Sequence, residues 1–341
     1  MTVPDGHPPL FPPDRIGVLL VNLGTPSAPD PASVRRYLAE FLSDRRVVEI
    51  PPLVWQPILH GIILRTRPKK SAHAYRQVWR PDGSPLAAIT RAQSDALQGA
   101  WGEDVLVEWA MRYGEPAIAG RLQSLKAQGA RRILIAPLYP QYCAATTATA
   151  NDAAFAALAK LRWQPAVRTL PPYHDHPAYI AALKASVEAS LARLDFVPDA
   201  ILASFHGMPQ RTLDLGDPYH CHCRKTARLL GEALAETLGG RELIVTFQSR
   251  FGRAKWLEPA TDAMLAALPG KGVKKVAIVA PGFSADCLET LEELAIRGRE
   301  TFLAAGGDRF AYLPCLNDSA GGIAMLRTIL REELAGWIEP A

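Results

Sequence analysis

Two sets of residues in this chain have the types and spacing for chemistry. His206 directly precedes Gly207 at the end of a short apolar run, and a carboxylate row of Asp286, Glu289 and Glu293 follows Pro281. If a helix begins near Ser284, the three acids fall at i, i+3 and i+7 and share about 60° of arc. Leu288, Leu291 and Leu294 then lie on the opposite, packing side, and Ser284 serves as N-cap to a helix whose early acids suit its dipole. A solvated acidic face has the same composition, and a lone histidine after a strand is commonly structural. Brought together across a cleft, however, an imidazole and a carboxylate can bind a borderline divalent metal such as Fe²⁺ or remove protons near neutral pH. Two ligands are too few for a closed structural site and suit a metal that is handed on.

A second cluster, His220-Cys221-His222-Cys223, carries soft ligands, and Cys143 and Cys315 add thiols elsewhere. No C-x-x-C pair supports a metal centre there, and the stretch runs into a helix expected from Arg224.

The elements that must position these groups alternate. Short β-branched or Leu-rich runs at 16–21, 105–109, 132–136, 200–204, 243–247, 276–280 and 310–313 are separated by helical patterns such as 178–194 and 224–238. That alternation predicts βαβ units in a doubly wound sheet. The chain also echoes itself. Leu23-Gly24-Thr25-Pro26 is answered by His206-Gly207-Met208-Pro209, Arg112-Tyr113-Gly114 by Arg250-Phe251-Gly252, and the run ending at Pro137 by the run ending at Pro281. Ordered repetition predicts two Rossmann-like halves, 1–174 and 175–341, each a four-stranded parallel sheet flanked by helices, with a cleft between them. Each landmark lies where a strand gives way to a loop, the side on which open α/β sheets bind ligands. The halves differ where chemistry needs them to. Leu23 answers His206, and the neutral stretch after Pro137 answers the acidic one after Pro281.

Composition sets the bounds. The 341 residues are 48% hydrophobic and 21% charged, ordinary globular usage that excludes a disordered or fibrous chain. The net charge of +4 is too small to imply nucleic acid. Five cysteines, an odd number, read as reduced thiols. The first residues carry neither a basic n-region nor an apolar h-region, and no apolar run approaches the ~20 residues of a spanning helix, so a cytoplasmic location is expected. One segment stands out. Residues 51–64 are apolar except for Gln56 and His60 and lead into Arg65, Arg67, Lys69 and Lys70. It reads either as an exposed lip, 51–67, serving a flat ligand or the inner face of a membrane as a peripheral contact, or as an ordinary core helix. No Gly-x-Gly-x-x-Gly and no Walker A loop occurs, so no nucleotide or redox cofactor is expected.

Longer motifs resemble a known family. Ser204-Phe-His-Gly-Met-Pro209 with Gly216-Asp-Pro-Tyr219, Gln248-Ser-Arg250 with Trp256-Leu-Glu-Pro259, and Pro281-Gly-Phe-Ser-Ala-Asp-Cys-Leu-Glu-Thr-Leu-Glu-Glu293 are similar to ferrochelatases, the terminal enzymes of haem synthesis. Leu20-Val-Asn-Leu-Gly-Thr-Pro26, Arg112-Tyr113 and Tyr139-Pro-Gln-Tyr142 with Thr146-Thr147 agree, so the resemblance spans about residues 15–335. It implies a lyase that inserts Fe²⁺ into protoporphyrin IX. It implies His206 and Glu289 as the catalytic and iron-binding pair on opposite sides of the cleft, and Asp286 and Glu293 on the acidic helix lining it. Leu23, Arg112, Tyr113 and Trp256 would contact the porphyrin or hold the cleft, and Arg65 or Arg67 would pair with propionates. Insertion needs a base, a transient ligand and an exit for protons; the resemblance does not apportion base and ligand between His206 and Glu289. Three departures stand out. Cys287 occupies a place where many members have His, Arg297 follows Glu293 by one turn and disfavours a further bound cation, and Cys315 is the last cysteine, so no C-terminal iron-sulfur cluster is expected. The alternatives are a chelatase for coproporphyrin or Co²⁺, and a tetrapyrrole carrier without chemistry.

Overall fold

The computed structural model describes residues 15–103, 105–252 and 254–339; the N-terminal stretch read for an export signal lies outside them. Among the described residues eight strands form two sheets. Arg15–Gly24 (β1), Val105–Tyr113 (β2), Ala130–Pro137 (β3) and Ala166–Thr169 (β4) pair in the order β2-β1-β3-β4. Ala200–His206 (β5), Leu243–Gln248 (β6), Lys275–Val279 (β7) and Arg309–Leu313 (β8) pair in the order β6-β5-β7-β8. Every pairing is parallel, so each sheet needs helices on both faces and its central strands read as continuous apolar runs. Val18 to Val21 of β1 and Ile201 to Ala203 of β5 are accordingly fully buried.

The sheets share one order, which is what the internal echo encodes. In both, the strand order reverses direction between the first and third strands, β1 and β3 or β5 and β7, and the carboxyl ends at such a switch point are where open α/β sheets hold ligands. The echoed glycines have a steric cause. Gly24 sits at φ +125°, where a Cβ would lie 2.0 Å from the Tyr113 carbonyl oxygen, and a Cβ on Gly207 would lie 2.4 Å from the Gln248 carbonyl oxygen. Only glycine lets the chain pass that close to the neighbouring strand. The strand β4 lay outside the runs read from the sequence, because it is four residues at a sheet edge with no fully buried side chain.

The two sheets are joined by a common apolar cluster that runs from Ile16, Leu20 and Leu134 to Ile201, Phe205 and Leu230. Buried polar ties cross at the same level. Gln141 Nε2 donates to Thr226 Oγ1 and the Pro281 carbonyl at 3.0 and 3.2 Å, and Ser284 Oγ donates to the Leu138 carbonyl at 2.8 Å. The segment after β1 folds into the helix Pro31–Ser43, the lip helix Pro52–Ile58, a π-helix Leu59–Ile63 and the helix Leu64–Val78. Asp30 caps the first of these, accepting from Ala32 N and Ser33 N.

The lip resolves into two faces. Leu53 is 92% exposed, Val54 56% and Ile62 57%, whereas Leu59 and Leu64 are buried against Val34, Tyr37 and Tyr75. Trp55 belongs to the buried face, where its Nε1 donates to the Leu42 carbonyl at 2.6 Å.

Candidate functional site

His206 is the last residue of β5, at the switch point, and is half-buried. Its Nδ1 lies 2.7 Å from the Gly207 carbonyl oxygen, which makes Nδ1–H the donor, so that in the neutral ring the lone pair is on Nε2. Around the Gly207 turn wraps the loop after β6. Trp256 bridges to Pro209, Leu257 N donates to the Met208 carbonyl at 2.9 Å, and Trp256 Nε1 donates to the Phe251 carbonyl at 2.9 Å.

The acidic segment departs from the helix expected at Ser284. The helix starts at Leu288, and Glu289–Gly298 is a π-helix with the wider i→i+5 pattern. Ser284 is not its N-cap but binds Leu138 across the halves, and Asp286 precedes the helix. Buried, Asp286 accepts from Thr290 Oγ1 at 2.9 Å, Tyr312 OH at 2.5 Å and Asn317 Nδ2 at 2.7 Å, so its charge is consumed in fixing the approach to the helix. Glu293 accepts from Ser249 N and Oγ at 2.8 and 2.6 Å and lies near Arg297. Nor do the leucines share one packing side. Leu288 packs on the lip cluster of the first half and Leu294 in the core of the second.

Glu289 is half-buried and lies near enough to Tyr37 and Tyr75 of the first half and Cys287 of its own turn for its charge to act on them. Burial first, and then neighbouring charge including Glu289's, push both phenols and the Cys287 thiol well above their usual ranges, so all three stay protonated beside it. Sequence reasoning did not single out Tyr37 or Tyr75. They sit in ordinary helical spacing, and only the packing of helices 31–43 and 64–78 brings them to the cleft.

The first-half candidates divide. Leu23, the counterpart of His206, is half-buried between the lip cluster and Ala285 and Cys287. Arg112 donates to Asp44 Oδ2 at 2.5 Å and to Thr149 Oγ1 at 2.7 Å, while its guanidinium stacks 4.3 Å over the Tyr113 ring. Tyr113 is fully buried with its hydroxyl on Asp44 at 2.8 Å, so it holds the wall and presents no surface to a ligand. Their echo, Arg250 and Phe251, is exposed, and Arg250 pairs with Asp262 at 2.8 Å. Arg65 is exposed. Arg67 is half-buried, 4.3 Å over the Phe251 ring, and its burial draws its pKa down.

The His220 to Cys223 stretch lies inside a helix that begins at Tyr219 rather than near Arg224, so its side chains diverge. Cys223 is buried, Cys221 exposed, and His222 stacks on His174 at 3.7 Å and accepts from Tyr142 N at 3.2 Å. Cys315 is buried beside Tyr312 OH at 3.4 Å. Among the described residues no three His, Cys, Asp or Glu side chains are grouped to hold a metal ion.

Two four-stranded parallel sheets flanked by helices, with an imidazole at the end of one central strand and a carboxylate-bearing helix tied to the neighbouring strand, define an α/β protein of two like sheets. The solved structure of SirB from Bacillus subtilis with Fe3+ shares this fold, with TM-score 0.56 at 13% identity over 95% of this chain and 97% of that one. The family model for ferrochelatase matches residues 15–334, and the chain belongs to the ferrochelatase family. It is 53% identical to the ferrochelatase of Agrobacterium fabrum over 95% of each chain, and 55% identical to that of Rhizobium meliloti over 95% of this chain and 96% of that one.

Proposed function

We propose that this ferrochelatase inserts Fe²⁺ into protoporphyrin IX with His206 and Glu289 as its working pair. The observation that carries the assignment is the contrast among the four polar candidates. Asp286 and Glu293 are spent on hydrogen bonds within the second half, whereas His206 commits only its Nδ1, to the Gly207 carbonyl, and Glu289 lies near the protonated Tyr75 and Cys287. The Nε2 lone pair takes the two pyrrole protons one at a time, passing each on to water before the next, and the carboxylate receives iron and passes it to the ring nitrogens. Iron enters as Fe²⁺ and the ring releases two protons, so no electron changes hands. Leu23 and Trp256 support the faces of the macrocycle, and Arg112 with Tyr113 holds the wall. Arg67, unlike Arg65, lies close enough to the second half to meet a propionate at the cleft mouth.

The exposed row Leu53, Val54 and Ile62, with Arg65, Lys69 and Lys70 beyond it, supports a peripheral membrane contact. Among the described residues no helix is long and apolar enough to cross a bilayer.

The test is anaerobic metalation followed by porphyrin absorbance, with protoporphyrin and coproporphyrin offered separately to wild type and His206→Ala. Turnover of protoporphyrin that collapses in the variant while porphyrin affinity persists supports the proposal. Preference for coproporphyrin would reassign the substrate, and porphyrin binding without metalation by wild type would make the protein a carrier.

A further inference from the structure

The end of β6 grips the π-helix with two consecutive residues. Gln248 is buried and pairs with His206 across β5 and β6. Its Nε2 donates to the Glu289 carbonyl oxygen at 2.8 Å, its Oε1 accepts from Ser204 Oγ at 2.9 Å, and its own carbonyl accepts from Gly207 N at 2.7 Å. One amide therefore touches the strand that carries His206 on one side and the first residue of the π-helix on the other. The Glu289 carbonyl can only accept, so it fixes which way that amide faces, taking the nitrogen and turning the oxygen toward Ser204 Oγ, itself 2.9 Å from Thr261 Oγ1. The next residue completes the grip. Ser249 N and Oγ donate to the Glu293 carboxylate, and Ser249 adopts φ +64°, a conformation that side-chain-bearing residues rarely take. Backbone held in such a region marks a constraint imposed by its surroundings.

An i→i+5 helix is a rare departure from the tighter α pattern, frequent at functional sites. Gln248 takes the carbonyl of the residue at which that pattern begins. We propose that Gln248 is a positioning residue for metal insertion: it ties the Glu289 backbone to the strand end bearing His206 and so sets where the carboxylate stands relative to the imidazole. This rests on His206 and Glu289 being the iron pair. Gln248 itself touches neither iron nor porphyrin; it acts through Glu289.

The test compares Gln248→Met, which fills the space without hydrogen bonds, with Gln248→Glu, which keeps the acceptor for Ser204 but sets an oxygen against the Glu289 carbonyl. Iron kinetics are read anaerobically beside porphyrin affinity, melting temperature and the ratio of Fe²⁺ to Zn²⁺ insertion. Both variants should lose roughly 10- to 100-fold in kcat/KM for Fe²⁺, the usual range for groups that orient a metal ligand, with Glu the worse. The Fe²⁺ to Zn²⁺ ratio should shift as well, with porphyrin affinity kept, a pattern that loss of packing alone does not produce. If Gln248→Met fails to fold, Ser204→Ala should show the same loss in milder form. Folded Gln248→Met or Ser204→Ala protein with wild-type iron kinetics and metal ratio would overturn the proposal. Intact turnover in His206→Ala and Glu289→Gln would instead overturn the pair on which it rests.

Discussion

Replacing Asp286 by alanine tests whether this carboxylate is spent on structure. It is buried and accepts from Thr290 Oγ1, Tyr312 OH and Asn317 Nδ2. Hydrogen bonds to a charged group are worth about 1.5–3 kcal/mol each, but the three do not add. Thr290 Oγ1 already lies 3.2 Å from the Cys287 carbonyl and Tyr312 OH 3.4 Å from Cys315 Sγ, so both can turn to second partners. Asn317 Nδ2 is left without its acceptor and a small void opens, which gives a loss of about 3–5 kcal/mol. With an unfolding entropy of about 2.1 cal/mol/K per residue, a chain of this length loses about 0.7 kcal/mol per kelvin, so the melting temperature should fall by about 4–7 °C. Asp286→Asn keeps an acceptor oxygen but turns an amide toward Asn317, and should fall by less. Circular dichroism melts of the two variants decide it. A melting temperature for Asp286→Ala within about 1 °C of wild type would refute the reasoning, because a buried three-donor carboxylate cannot be removed at so little cost.

Other expectations follow from individual contacts. Leu53→Glu with Ile62→Glu should abolish flotation with anionic liposomes while leaving the melt unchanged; equal recovery of variant and wild type would remove the lip as a membrane contact. Trp55→Phe should do the reverse, lowering stability by about 1–2 kcal/mol through the lost Leu42 bond and leaving flotation intact. Burial, and then His222, pull His174 from 6.5 down to about 4. The unfolded chain therefore takes up a proton at higher pH than the folded one, so this contribution is complete above about 6.5 and is lost as pH falls toward 4. His174→Phe, which can still stack on His222, should flatten the fall of melting temperature across that window, and an unchanged slope would contradict the assignment.

Where a structural feature has a local steric or compositional cause, it was legible in the sequence. The repeated Gly24 and Gly207 announce two strand ends that must pass close to a neighbour, and the buried central strands announce parallel sheets. His206 and the carboxylate row stood out as candidates by position and type, and the resemblance made them the expected site. What was hidden depends on packing. α- and π-helices present similar apolar spacing, so the late start at Leu288 and the separation of Asp286 from Glu289 could not be read. Trp55 reads as part of a greasy edge until Leu42 is seen to accept its indole N–H. Gln248 was visible only as part of a motif, because its importance lies in a pairing with His206 and a bond to Glu289 that are distant in sequence.

The most direct test of the central claim is a double-mutant cycle on His206→Ala and Glu289→Gln, measured as anaerobic Fe²⁺ insertion into protoporphyrin with porphyrin binding followed in parallel. If the two side chains act on one iron as a unit, each single variant loses about 10² or more in turnover, and the double variant is little worse than the more damaged single one. Losses that multiply, or turnover retained in either single variant, would contradict it.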